Sequence, residues 1–198
     1  LVTSPFTGTS TRVTGPVYTL GGSGANGFDA GLSLVGRYTF DPMTPHMNPP
    51  PPPSGAGGAS SQQGYYPDSI RGFDFTIGTY SSGPQSAGGS SLSVGDLGAR
   101  YRVDMALLGD AVKGGLPLLF TIDLFDSTGT AFSSVALPIS QPPSLASFDS
   151  REWRLGFTGG SMVVGTLDSL TPVPVPATAL LFVSGVLGLG VLAHRRRT

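Results

Sequence analysis

Apolar side chains recur at every second position over most of this chain. Leu32 to Phe40 (LSLVGRYTF), Ile70 to Ile77 (IRGFDFTI) and Ala99 to Met105 (ARYRVDM) all alternate in this way. In the second stretch Phe73, Phe75 and Ile77 share one face, and Asp74 and Thr76 take the other. Successive side chains of an extended strand point to opposite sides, so the pattern predicts strands with one face on a core and one in water. Leu116 to Phe125 and Thr130 to Leu137 flank Asp126-Ser-Thr-Gly129, in which Gly129 supplies a positive φ and Asp126 caps the turn. This predicts a β-hairpin. Trp153 to Phe157 and Met162 to Leu170 predict a last strand pair, joined at Gly159-Gly160.

No stretch before residue 176 keeps a helical period for three turns. Eight to ten short strands separated by turn residues predict an all-β fold, a β-sandwich of jelly-roll-like or immunoglobulin-like kind. Two segments break the alternation. Residues 41–64 hold five consecutive prolines, Pro49 to Pro53, and then a Gly/Ser-rich stretch. Proline lacks the N–H that a ladder needs, so 41–64 is expected as a loop insertion. Ser81 to Ser91 is expected as a second polar loop.

From Ala177 to Ala193 the pattern changes altogether, to an uncharged apolar run. As a helix, 177–193 would extend about 26 Å at 1.5 Å per residue, near the short limit for crossing a bilayer core. Its glycines are costly in a water-exposed helix but common in membrane helices. Arg195, Arg196 and Arg197 follow it and act as a cytoplasmic stop, because positive charge holds a helix end on the cytoplasmic side. The chain therefore divides into a body, 1–171, and a C-terminal segment, 172–198, with a single transmembrane helix at 177–193.

Charge sharpens this division. All twelve acidic side chains precede Val173, together with eight of the eleven basic ones. The body is thus mildly acidic and the tail carries the three arginines. Phosphate neutralisation drives nucleic-acid binding, and a body without a basic patch argues against that class. Charged residues are 12% of the 198, with 30 glycines and 18 prolines. A surface covered by Ser, Thr and Gly in place of charge fits an exported protein. No cysteine is present, which excludes disulfides and thiolate chemistry. The first residues, LVTSPFTGTSTRVTGP, show neither the basic nor the apolar region of a secretory signal.

The body offers little recognisable chemistry. His46 and His194 stand outside any nucleophile or metal motif, and Gly21 to Gly24 (GGSG) opens no predicted helix that would bind phosphate. Asp104 with Asp110, and Asp123 with Asp126, are the acidic pairs nearest to a calcium site, yet they lack the loop spacing such sites use. No cofactor is expected, calcium being the one metal to test. Glu152 is the one glutamate, so a glycosidase-type carboxylate pair would have to recruit an aspartate. Trp153 reads first as the core tryptophan of a sandwich, and with Tyr65, Tyr66 and Tyr101 as the candidate platform for stacking on a sugar.

The order of features at the C-terminus resembles the PEP-CTERM sorting signal of bacterial envelope proteins. Its motif here is Val173-Pro174-Val175-Pro176-Ala177, a VPxPA variant in which Val175 stands where a glutamate is usual. Gly36 to Asp41 and Leu137 to Asp149 are similar, more loosely, to segments found upstream of such signals. The resemblance implies an exosortase-type membrane sorting enzyme as partner and a transient intermediate in the inner membrane, its C-terminus cytoplasmic. Delivery to the cell surface or extracellular matrix follows. The expected function is that of a non-enzymatic exported surface or matrix protein. A module binding carbohydrate or exopolysaccharide is the alternative, and an unrecognised hydrolase the third reading.

Overall fold

Among the described residues twelve strands supply most of the chain, and alternation of buried and exposed positions runs through the long ones as the sequence pattern requires. The first six are β1 (Val2–Thr14), β2 (Ser23–Gly24), β3 (Gly27–Phe28), β4 (Ser33–Phe40), β5 (Gln63–Pro67) and β6 (Ile70–Ile77). Then come β7 (Tyr80–Gln85), β8 (Ser91–Gly95), β9 (Arg100–Ala106), β10 (Pro117–Phe125), β11 (Ser150–Phe157) and β12 (Met162–Leu170). The computed structural model describes residues 1–24, 26–47, 63–85, 89–95, 99–132, 134–137 and 143–171. The sorting motif 173–177, the expected helix 177–193 and Arg195 to Arg197 lie outside the described residues, as does most of the 41–64 insertion. Among the described residues no helix is long and apolar enough to cross a membrane.

Ten strands form one antiparallel sheet in the order β5-β8-β9-β10-β11-β12-β1-β4-β6-β7, and β2 pairs with β3 separately. The fold is thus all-β, with one continuous sheet supplying every long strand. Its curl follows from the connectivity. β5 lies at one edge and β6 next to the opposite edge, yet only Asp68 and Ser69 join them. Two residues reach a few ångströms, so the far ends of the sheet must come together. Asp68 makes the corner with a φ of 53°.

The curl places distant strands face to face around one core. Phe75 of β6 stacks on Phe120 of β10 with ring centroids 4.5 Å apart, and Phe120 in turn stacks on Trp153 at 5.9 Å. The hydroxyls of Tyr38 on β4 and Tyr101 on β9 hydrogen-bond at 2.8 Å. Both tyrosines are wholly buried, so each phenol finds its partner in the other, as a buried hydroxyl must. Burial pushes Tyr38 up to about 12.

Three expectations need correction. Thr130 to Leu137 is not a strand, because both ladder positions beside β10 are taken, by β9 and by β11. The turn chemistry itself is as expected. Asp126 accepts from the backbone N–H groups of Thr128, Thr130 and Ala131 at 2.8–2.9 Å, and Gly129 has φ 72°. The chain beyond it caps the core instead, Phe132 lying against Tyr101 and Phe148. Second, the segment expected as a loop from Ser81 begins as an edge strand, β7, paired to β6. Third, β1 has no counterpart in the predicted strands, although it sits between β12 and β4. Its inward positions, Ser4, Phe6, Gly8 and Ser10, are buried with one large apolar side chain among them. The final pair is as expected: β11 and β12 are antiparallel and joined through Gly159 and Gly160, both with positive φ.

Candidate functional site: a polar groove on the outer face

The outward side chains of β9, β10 and β11 form a ribbon of opposite charges. Arg100 grips Asp123 through both carboxylate oxygens. Arg102 donates to Asp104 at 2.7 Å, and Thr121 donates to the other oxygen of Asp104 at 2.9 Å. Arg154 pairs with Glu152 on the same strand. The hydrogen bond from Arg100 to Asp123 and that from Arg102 to Asp104 raise both guanidinium groups above their ordinary values. Asp123 and Glu152 are direct cross-strand partners, an arrangement that repels unless cations intervene. The arginines balance it.

Hydroxyl pairs continue this pattern over β1. Thr3 meets Thr39 at 3.0 Å, Thr7 meets Ser169 at 2.7 Å, and Thr9 donates to Asp168 at 3.0 Å. The outer face is therefore largely paired with itself.

A groove of about 260 Å³ interrupts it where β1, β12 and β11 adjoin. Its origin is local. The β1–β12 register shifts between Ser10 and Arg12, leaving Thr11 as the extra residue of a bulge, and bulges bend a strand and open its pairing. Thr11, Ser150, Arg151, Glu152 and Thr166 line the groove, with Asp149 at the start of β11. Asp149 accepts from the backbone of Ser127 at 2.9 Å and from its hydroxyl, and these bonds hold its carboxyl below the ordinary range. Thr11 donates weakly to the Val164 carbonyl at 3.3 Å. Among the described residues the side chains of Ser150, Arg151 and Thr166 make no hydrogen bond or ion pair.

Trp153 is elsewhere. It is wholly buried on the inner side of β11, and its indole lies across Gly165 of β12 and Gly8 of β1. A Cβ at either glycine would come within 2.3–2.8 Å of the ring. The indole N–H donates to the Thr166 carbonyl at 3.2 Å. Tyr101 and Tyr66 are also buried, and Tyr65 alone of the expected platform is exposed, on β5. These four rings do not form a stacking surface, because the inward register that makes Trp153 a core residue removes it from solvent.

The aspartates weighed for calcium are dispersed in the same manner. Asp104 and Asp123 are held by arginines and Asp126 by its own turn, while Asp110 lies exposed in the loop after β9. Among the described residues no three His, Asp or Glu side chains converge as metal ligands would. His46 stacks edge-on to Tyr66 at 6.0 Å. The groove itself had no signature in the sequence, since it depends on a bulge and on the meeting of three strands.

Compared with family models, with curated proteins and with solved structures, the chain matches none.

Proposed function

We propose that the chain is a non-enzymatic exported protein whose C-terminal segment, 172–198, is a sorting signal read by an exosortase-type membrane enzyme. The observation that carries this reading is the order of three features in the sequence. Val173-Pro174-Val175-Pro176-Ala177 comes first, then the uncharged run 177–193, then Arg195 to Arg197. A run of this length fits a bilayer core, and three arginines resist crossing it. The two facing halves of the curled sheet serve as the layers of a β-sandwich, of jelly-roll-like or immunoglobulin-like kind, carried outside the inner membrane. One feature of the body supports the reading. Thr171, two residues before the motif, still donates its N–H to the Pro5 carbonyl at 3.0 Å and ties the chain to β1. Pro172, Pro174 and Pro176 follow in the sequence, and proline disfavours the helical region for the residue before it, which suits a motif that an enzyme must grasp.

The test is expression of the full chain with and without a cognate sorting enzyme, followed by intact mass and membrane fractionation. Loss of the arginines and departure from the inner membrane only when the enzyme is present is the expected result. A protein that keeps its arginines and stays in the membrane in both cases overturns the sorting role and leaves a plain anchor.

A further inference from the structure

The outer-face groove takes a small neutral ligand rich in hydroxyl groups, and we propose that it binds one pyranose unit of a glycan. Many polar side chains of the outer face bond one another, and three of those in the groove do not. Thr3, Thr7, Thr9 and the arginines Arg100, Arg102 and Arg154 all have partners on the same face. Ser150, Arg151 and Thr166 line a concave site and have none among the described residues. Polar groups that converge without bonding one another are placed to bond something else.

The lining then narrows the chemistry. It presents no large apolar side chain, so an apolar ligand gains nothing by entering. Asp149 and Glu152 line it and Asp168 stands beside it on β12, which disfavours an anion. Arg151 lies in the same lining and disfavours a simple cation. A neutral polyol avoids both penalties. Each sugar hydroxyl donates and accepts, so a vicinal pair can donate to a carboxylate while accepting from a guanidinium or a threonine hydroxyl. Glu152 suits this role, because Arg154 engages it through one oxygen and leaves the other open. At about 260 Å³ the groove falls just below the usual range for small-molecule sites of about 300–1,000 Å³. One ring fits, and a longer chain would have to run out along the open face.

Without an aromatic ring beneath the sugar, each site binds weakly, with dissociation constants on the order of millimolar. Repeated units of a polymer would raise the effective affinity through many such contacts. The proposal stands on the body alone and is independent of the tail, so it can fail while the sorting reading holds, and the reverse.

The experiment is a chemical-shift titration of the full chain, kept in phosphocholine micelles that carry no sugar, with the methyl glycosides of glucose, galactose and mannose. Expected are shifts confined to the Arg151–Glu152 and Gly165–Thr166 amides for at least one glycoside. Loss of a charge-assisted hydrogen bond should weaken binding about tenfold or more in Glu152→Gln. Thr166→Val should weaken it as well, with the core resonances of both variants unchanged. The proposal is overturned if no glycoside shifts these amides, if the shifts fall elsewhere, or if both variants bind as the parent does. Shifts here with calcium or spermidine but not with any glycoside would also overturn it.

Discussion

Replacing Gly165 with alanine tests how the one tryptophan is seated. A Cβ at this position would lie 2.3 Å from the Thr9 carbonyl oxygen and 2.3–2.4 Å from two indole carbons of Trp153. The carbonyl belongs to the β1–β12 ladder, and the ring is wholly buried, so neither obstacle can swing into solvent. Overfilling a packed core costs about 1–3 kcal/mol, and a methyl pressed against backbone on one side and a ring on the other belongs at the upper end. If the indole tilts to escape, its bond to the Thr166 carbonyl at 3.2 Å is strained, for about 1 kcal/mol more. The expected destabilisation is therefore about 3–4 kcal/mol, a large part of the roughly 5–15 kcal/mol that holds a domain together. Urea unfolding followed by Trp153 emission measures it, because this residue is the chain's one indole and passes from core to water. Trp153→Phe in the same background, read by far-UV circular dichroism because the indole is gone, supplies the second arm. The smaller ring relieves part of the clash, so the two substitutions together should cost about 1 kcal/mol less than their sum. A Gly165→Ala protein within about 0.5 kcal/mol of the parent, the range of ordinary surface changes, with unchanged emission would refute this packing.

Three further outcomes follow from the same structure. Tyr38→Phe leaves the Tyr101 hydroxyl buried without its 2.8 Å partner, at about 1–3 kcal/mol; Tyr38→Phe with Tyr101→Phe should cost less than the two single changes added, as read by thermal unfolding. Because burial raises Tyr38 to about 12, the folded state resists ionisation, so stability should be level below about pH 10, the ordinary tyrosine value, and fall as pH rises towards 12. Alkaline difference spectra check this, and phenolate absorbance complete by pH 10.5 without unfolding would contradict it. The Asp126 carboxyl is held far below its ordinary value, chiefly by the Thr128 hydroxyl and then by the backbone N–H groups of its turn. A depressed carboxylate stabilises the fold above the unfolded value and loses that contribution as pH falls, here below about pH 4. Urea midpoints of Asp126→Asn should therefore lie below the parent at pH 7 and approach it at pH 3; an equal gap at both would refute the assignment.

Much of the sheet was legible because its inward positions carry large apolar residues in alternation. Phe73, Phe75 and Ile77 are all buried, and Trp153, Leu155 and Phe157 line the inner side of β11. β1 was not legible, since Ser4, Gly8 and Ser10 occupy inward positions there. Those small residues leave room for groups arriving from elsewhere: the Trp153 ring needs Gly8, and the Ser10 hydroxyl donates to the Asp29 carbonyl at 2.9 Å. The Thr130–Leu137 arm was misleading for a related reason. Its turn residues behave as a hairpin requires, but a strand needs a free neighbour, and β10 has none.

What the sequence determined by itself is what depends on nearest neighbours along the chain. The period-two pattern, the Asp126 turn, the Gly159-Gly160 connection and the ordered features of 172–198 are all of this kind. Tertiary structure alone decided that the long strands share one sheet, that the Trp153 ring lies across Gly8 and Gly165, and that a polar groove opens beside Glu152. Each depends on which strand lies next to which, and at what register. Side chains that hydrogen-bond across the sheet come from far apart in the chain, 162 residues for Thr7 and Ser169. Alternation says that a residue faces inward or outward, but not what it will face, because the occupant of the opposite position comes from a distant part of the chain.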